Sequence, residues 1–200
     1  MKTLILAAIR CSLMFTAVTA PLLFVWPAQA GYIVTLEQVG SNVVATGSGP
    51  IDVSGLTFDG TFGSAALINP ATADIRTVIF APIDIYSAPI AGPTSFGSGG
   101  STFTTSGSGD PVGITRNFGD IYVPQGYVSG NPLSDTMTFN DATFASLGVT
   151  PGTYVWTWGT GANQNFTLII PRVAVPDSGS TVSLLGFGLL GLAVLRRKLS

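Results

Sequence analysis

The side chains in this sequence that could do chemistry are mostly carboxylates. Two carboxylates a few ångströms apart could hydrolyse a glycosidic bond, and carboxylates grouped with turn carbonyls could bind calcium. Their spacing along the chain singles out no catalytic pair, and the sequence contains no Asp-x-Asp-x-Asp-Gly run. Each carboxylate has Gly, Ser, Pro or Asn nearby, which is typical of turn residues. The sequence therefore predicts no catalytic residue, no metal ligand and no cofactor, with a single opportunistic calcium site as the alternative. The nine carboxylates between residues 31 and 174 are Glu37, Asp52, Asp59, Asp74, Asp84, Asp110, Asp120, Asp135 and Asp141.

Nucleophilic catalysis lacks its usual partners in this sequence. The chain has no histidine, and its one cysteine, Cys11, lies in an apolar segment near the N-terminus. Residues 31–174 contain no lysine either. A serine or threonine nucleophile would therefore have no His or Lys to act as its general base. We expect that the protein is not an enzyme.

The charge of this central region argues against nucleic acid as a partner. Its only basic residues are Arg76, Arg116 and Arg172, which together with the nine carboxylates give a formal charge of −6. Three scattered guanidinium groups cannot neutralise a phosphate backbone. We expect an acidic protein that does not bind nucleic acid.

A row of three aromatic residues, Tyr154, Trp156 and Trp158, alternates along one predicted strand. Because successive side chains of a strand point to opposite sides, the three rings lie on one face. An exposed row would be a candidate glycan platform, on which sugar rings could stack. Large aromatic side chains at this period more often face a core, which is the interpretation we favour. The exposure of the two tryptophans discriminates between a core strand and a polysaccharide-binding face.

The elements that position these side chains are predicted to be short strands joined by Gly, Pro, Ser and Asn turns. Hairpins are indicated at Gly40-Ser41 and at residues 159–163. We expect an all-β fold, a single antiparallel β-sandwich of the jelly-roll or Ig-like kind, within residues 31–174. The predicted strands are residues 32–39, 42–46, 51–58, 65–68, 76–85, 121–123, 137–139, 153–158 and 165–170.

Three further local predictions follow from the turn and helix signals. Residues 87–110, which are rich in Gly and Ser, are expected to form long loops around one short strand. Pro82 and Pro89 are expected to place the strand between them at a sheet edge or to bound it. One short helix is predicted at residues 141–147, with Asn140 or Asp141 as its N-cap and Gly148 as its end.

The N-terminal 30 residues are typical of a secretory signal peptide. Lys2 and Arg10 supply positive charge, and residues 11–25 form an apolar stretch. Ala28 and Ala30 then supply small residues at the two positions that a signal peptidase reads, which predicts cleavage before Gly31. The alternative is an uncleaved membrane helix, which Pro21 and Pro27 disfavour.

The C-terminal residues 175–200 combine three features. A short motif, Val175-Pro176-Asp177-Ser178-Gly179, precedes an apolar run at residues 182–195 and a basic cluster of Arg196, Arg197 and Lys198. A helix of that length spans about 21 Å, which is short of the ~30 Å hydrocarbon core of a membrane. The basic cluster orients its C-terminal end towards the cytoplasm. A short transmembrane helix of this kind suits a temporary anchor.

Together the three features resemble a PEP-CTERM sorting signal in its VPDSG variant, with Asp177 and Ser178 replacing the acid and second proline of the commoner Val-Pro-Glu-Pro form. The resemblance implies processing by an exosortase, a membrane enzyme that cuts near the motif and releases or transfers the exported protein. It also implies export in a Gram-negative bacterium whose envelope produces exopolysaccharide. The alternative is a plain single-span tail anchor.

The leading functional hypothesis is an exported structural protein of the cell surface or extracellular matrix. Its expected partners are the signal peptidase, the exosortase and, before processing, the membrane. The alternative is a carbohydrate-binding module for extracellular polysaccharide.

Overall fold

The computed structural model describes residues 31–77 and 80–172. The predicted signal peptide with Ala28 and Ala30, the sorting motif, the transmembrane helix and the basic cluster all lie outside the described residues.

The described chain forms two β-sheets and one short α-helix. The first sheet has the strand order β12–β13–β1–β2–β11–β8, and the second has the order β3–β6–β10–β9–β5–β4–β7. A 3₁₀ turn, Pro70–Thr72, follows β4, and the helix α1, Phe144–Leu147, precedes β12. The strands are β1 (Tyr32–Val39), β2 (Asn42–Pro50), β3 (Thr57–Ser64), β4 (Leu67–Asn69), β5 (Asp74–Arg76), β6 (Ala81–Ser87), β7 (Thr102–Phe103), β8 (Ser106–Gly109), β9 (Gly113–Thr115), β10 (Asp120–Pro124), β11 (Pro132–Phe139), β12 (Gly152–Thr157) and β13 (Asn165–Ile170).

One hydrophobic core joins the two sheets. Alternate residues of β1, namely Tyr32, Val34 and Leu36, are buried, as period-two patterning requires. They belong to the same buried cluster as residues of the second sheet such as Ile75 and Ile114. The expectation of an all-β body with one short helix is confirmed.

The prediction of purely antiparallel pairing is wrong for one pair of strands. β1 and β13 run parallel, with Tyr32 opposite Phe166 and Val34 opposite Leu168. The other strand pairs are antiparallel, including the predicted hairpins β1–β2 and β12–β13. Side-chain alternation on a strand is the same whichever way its neighbour runs, so the local pattern could not reveal the direction of this long-range pair.

Two predicted strands begin or divide elsewhere. The strand expected at residues 51–58 starts at Thr57, because the preceding residues turn at Gly55, where φ is 78°. Ile51 and Val53 are nevertheless buried, so this connection contributes to the core. The strand expected at residues 76–85 is two strands, β5 and β6, and residues 87–110 contain two short strands, β7 and β8, in place of one.

The edge position proposed for β6 is wrong, because β6 lies between β3 and β10. β10 pairs with β6 only from Ile83 to Ser87. Pro82 lies beyond that ladder, so its missing N–H removes no bond to β10. Pro89 follows the end of the strand, as the alternative prediction of a bounding proline has it.

The helix α1 ends where predicted but begins later. Thr143 is its N-cap, in a capping box in which Ser146 N–H donates to Thr143 Oγ1 at 3.0 Å and Thr143 N–H donates to Ser146 Oγ at 2.8 Å. Gly148 ends it with φ 66°. Asp141 has φ 50° and belongs to the turn before the helix, so the N-cap predicted at Asn140 or Asp141 is wrong.

Candidate functional site

The aromatic row of β12 faces the core. Trp156 is 0% exposed and Trp158, just past the strand, is 6% exposed. The Trp156 ring meets Phe96 and Phe166 edge-on, with centroids 6.1 and 6.2 Å away. Tyr154 is half-buried and donates its hydroxyl to the carbonyl of Thr150 at 2.9 Å. The two tryptophans are therefore buried, and the exposed rings that a glycan platform would need are not present at these two positions.

Both indole N–H groups hold loops against the first sheet. Trp156 Nε1 donates to the carbonyl of Pro93 at 2.7 Å, and Trp158 Nε1 donates to the carbonyl of Asp52 at 2.9 Å. Gly92 packs so closely on β12 that an added Cβ would lie 2.6 Å from the carbonyl oxygen of Val155. A buried tryptophan usually satisfies its N–H in this way, and the result here is a structural role for the row.

A buried carboxylate, Asp135 of β11, lies on the core-facing side of the first sheet. It is 5% exposed, and its Oδ2 accepts hydrogen bonds from the hydroxyl of Tyr32 and from Thr77 Oγ1, the latter at 2.7 Å. Tyr32 reaches it from β1 across β2, at Gly47, where an added Cβ would clash with the tyrosine oxygen. Its other oxygen, Oδ1, is buried and has no partner among the described residues.

Burial dominates the electrostatics of this pair. Loss of hydration raises the pKa of Asp135 from the ordinary 3.8 to about 6, although the hydrogen bonds from Tyr32 and Thr77 oppose the rise. Burial, followed by the charge of Asp135, also raises the pKa of Tyr32. The carboxylate is enclosed by protein, so it offers no open site for a substrate. Its titration makes the stability of the fold depend on pH.

A second polar cluster lies on the second sheet, on the face away from the core. Its residues alternate with Ile75, Ile114 and Ile121, which belong to the core. Arg76 binds Asp74 through two hydrogen bonds of 3.0 and 2.9 Å. The remaining members are Thr115, which donates to Asp74 Oδ1 at 3.0 Å, Tyr122, whose hydroxyl lies 3.1 Å from Thr115 Oγ1, and Asp120, which accepts from Tyr122 at 3.3 Å.

The members of this cluster satisfy one another. Burial raises the pKa of Asp74, against the opposing effect of Arg76, and burial is also the main cause of the raised pKa of Asp120. The Arg76 guanidinium lies 5.7 Å from the centre of the Tyr122 ring, within the range of a cation–π contact. The pKa of Tyr122 rises to about 12, chiefly through burial.

The carboxylates do not gather into a metal site in the part of the chain that the structure describes. No group of three or more acidic, histidine or cysteine side chains there is placed to hold a metal ion. Asp135 faces the core, whereas Asp74 and Asp120 belong to the outer face of the second sheet. Two surface grooves, of about 540 and 630 Å³, are lined by residues 88–91 with 116–119, and by residues around α1 together with Arg172. Neither groove is lined by a carboxylate.

Sequence reasoning missed the Asp135 network, although a signal was present. Leu133, Asp135, Met137 and Phe139 alternate along β11, and all four are buried. A single carboxylate at a core position of a period-two pattern indicates a buried acid. The cluster around Arg76 had no comparable signal, because its members come from three separate short strands.

Residues 174–199 match the family model described as the VPDSG-CTERM motif. The match covers residues 175–179 and 196–198, so the recognition of this segment as an exosortase-type sorting signal is confirmed. It implies an exported protein that is transiently anchored in the membrane and processed by an exosortase. No curated protein and no solved structure matches the chain. None of the helices among the described residues is long and apolar enough to cross a membrane.

Proposed function

We propose that this chain is a structural protein of the cell surface or extracellular matrix of a Gram-negative bacterium, sorted there by an exosortase and without enzymatic activity. The observation that carries the proposal is the sorting signal at residues 174–199. Signal peptidase removes residues 1–30, and the exosortase cuts near Pro176. The apolar run at residues 182–195 then remains behind in the membrane with the basic cluster.

The structural role is supported by the way the body holds its polar groups. The chain has no histidine, and the most buried carboxylates bond to neighbouring side chains of the fold, with Asp135 held by Tyr32 and Asp74 held by Arg76. Buried acids that are enclosed by the fold and bonded to its side chains act on stability, whereas catalytic acids must reach a substrate. These properties of the body support a structural role at the cell surface or in the extracellular matrix.

The body is proposed to be one β-sandwich domain of residues 31–174. The support is that side chains of both sheets, such as Val34 and Ile114, belong to one buried cluster. The parallel pair β1–β13 distinguishes it from a purely antiparallel jelly roll or Ig-like fold.

The carbohydrate-binding alternative loses the feature that suggested it. That hypothesis required exposed rings at Trp156 and Trp158, and both side chains are buried. No second candidate function is therefore advanced from the aromatic row.

The proposal is tested by intact mass measurement of the protein in an exosortase-containing host and in a matched strain that lacks the exosortase. The extracellular and envelope pools of the first strain should begin at Gly31 and lack residues from about Pro176 onward. The second strain should retain the tail with Arg196, Arg197 and Lys198. Pro176→Ala should reduce processing, whereas Pro171→Ala, which lies just outside the matched residues, should not.

Two results would overturn the proposal. One is an extracellular pool in which most chains still carry residues 196–198. The other is a tail that is removed equally well in both strains, since that would assign the cleavage to another protease.

A further inference from the structure

The outer edges of the two sheets differ in how well they are protected. β7 has two residues, and β8 consists of four Ser and Gly residues. The edge of β12 is covered where Ala91 and Thr157 exchange backbone hydrogen bonds of 2.8 and 2.9 Å. β3 is eight residues long, and within residues 31–77 and 80–172 its backbone bonds to β6 alone.

β3 also exposes apolar side chains. Phe58 and Phe62 are 53% and 54% exposed, and among the described residues none of the core side chains comes from β3. The strand therefore extends beyond the core, and along one side its N–H and C=O groups have no backbone partner in the described part of the chain. A long, apolar open edge is a template for pairing with another strand.

We propose that this edge binds a second copy of the chain, with the two β3 strands antiparallel and the two-fold axis at Phe62. From Gly60 to Ser64 the strand pairs with β6 without irregularity, since the bulge is confined to the step between Phe58 and Gly60. In a symmetric antiparallel pair, Phe62 then lies opposite its own counterpart, and Gly60 lies opposite Ser64 of the second copy.

The small residues beside Phe62 make room for two rings. The Phe62 ring already lies over Gly60, where an added Cβ would be 3.0 Å from it. Ser64, on the other side of Phe62 and on the same face, is also small. A large side chain at either position would contact the ring of the second copy, so the composition of this short segment suits a self-complementary pair.

Charge favours this register over the one with its two-fold axis at Gly60. Asp59 is the one charged residue of β3. With the axis at Phe62, the two Asp59 residues are six positions apart, about 20 Å, which is more than twice the ~8 Å screening length at physiological salt. With the axis at Gly60, they would be about 7 Å apart and would repel.

The register with its axis at Gly60 also places opposing phenylalanines on different faces of the sheet. It would set Phe58 opposite Phe62, but the β6 neighbours of these two residues are Tyr86 and Ile83. Those neighbours are three positions apart, so they point to opposite faces of the sheet. The two phenylalanines could not form a cross-strand pair, whereas two Phe62 rings on one face can.

Disulfide trapping tests the pairing directly. The full chain is made with Cys11→Ser, so that an introduced cysteine is the only thiol, and is oxidised mildly in detergent. Directly opposed residues have Cα atoms about 4.5–5.5 Å apart, which a disulfide can bridge. Phe62→Cys should therefore give a cross-linked dimer at least tenfold faster than the matched control Phe103→Cys, which is 62% exposed on the opposite edge of the same sheet.

The register is tested by mixing two variants. Thr61 and residue 63 of the second copy are opposed in the proposed pair, so a mixture of Thr61→Cys and Gly63→Cys chains should give mainly the mixed dimer. Equal cross-linking at positions 62 and 103 would overturn the proposal, as would no cross-linking at 62 in a chain whose thermal melt shows a folded body. Cross-linking of position 62 to an unrelated protein would show that the edge binds a foreign strand, and this result would also overturn the proposal.

Discussion

The inner face of the first sheet and the outer face of the second sheet both combine aromatic side chains with carboxylates, but they hold them differently. On the inner face Trp156 is enclosed, and Asp135 is buried with hydroxyl donors and with no cation beside it among the described residues. On the outer face Phe103 is largely exposed, and Asp74 has Arg76 beside it. The opposing sheet covers only the inner face, so similar residue types are enclosed by the core on one face and lie beside a cation or in solvent on the other.

The largest expected difference is in the two aromatic side chains. Trp156→Ala should lower the free energy of unfolding by about 3–5 kcal/mol, because it leaves a cavity beside Phe96 and Phe166. Phe103→Ala should change it by less than about 0.5 kcal/mol. Denaturant melts of the two variants measure both values. Equal losses would show that exposure does not separate the two faces.

The next effect is the pH dependence that Asp135 confers. Its pKa is about 6 in the folded chain and lies near 3.8 when unperturbed, so between these values the native state binds more protons than the unfolded state. The free energy of unfolding should therefore fall as the pH rises from about 4 to about 6, by about 2–3 kcal/mol from this group. The stabilising contribution is present on the acid side of the window and is lost through pH 6.

A pair of matched variants isolates that contribution. Asp135→Asn should flatten the curve of unfolding free energy against pH between 4 and 6, because the buried group no longer titrates. Asp141→Asn changes an exposed aspartate in a turn and keeps a residue that tolerates its φ of 50°, so it should retain the parent slope. An unchanged slope in Asp135→Asn would assign the effect to other carboxylates, such as Asp74 and Asp120.

The smallest of the three effects is expected at the paired carboxylate. Arg76→Ala removes the cation beside Asp74 and should lower the free energy of unfolding at pH 7 by about 1–2 kcal/mol, since the pair is partly screened by solvent. Arg76→Lys should recover part of the loss, because it restores the charge without the two-bond geometry. Added salt should narrow the difference between parent and Arg76→Ala. A loss of unfolding free energy as large as that of Trp156→Ala would contradict this ranking and show that Arg76 stabilises the fold as much as a core residue does.

Local signals in the sequence were sufficient for the elements that depend on neighbouring residues. The turn at Gly40-Ser41 and the end of α1 at Gly148 were found because a turn or a helix end is specified within a few residues. The N-cap at Thr143 was missed, since Asn140 and Asp141 are equally good capping residues by type. The choice depended on where Ser146 completes the capping box.

The candidate sites divide in the same way. The aromatic row could be placed on one face from the alternation of Tyr154, Trp156 and Trp158, but its burial needed Phe96 and the loop at Pro93, more than 55 residues earlier in the chain. Asp135 could have been found from its position between Leu133 and Met137. Its partners could not, because Tyr32 and Thr77 are 103 and 58 residues away along the chain.

The sequence by itself determined the sorting signal and the all-β character of the body. A sorting signal is a contiguous stretch, recognised at residues 174–199 from its motif and basic cluster, and β-structure is indicated by short alternating segments with turn residues between them. Only the tertiary structure decided that β13 runs parallel to β1, that Trp156 is enclosed and that β3 is an edge strand of the sheet that the described residues form. Each of these depends on which distant strand lies alongside, and the period of two along a strand is the same for every neighbour it could have.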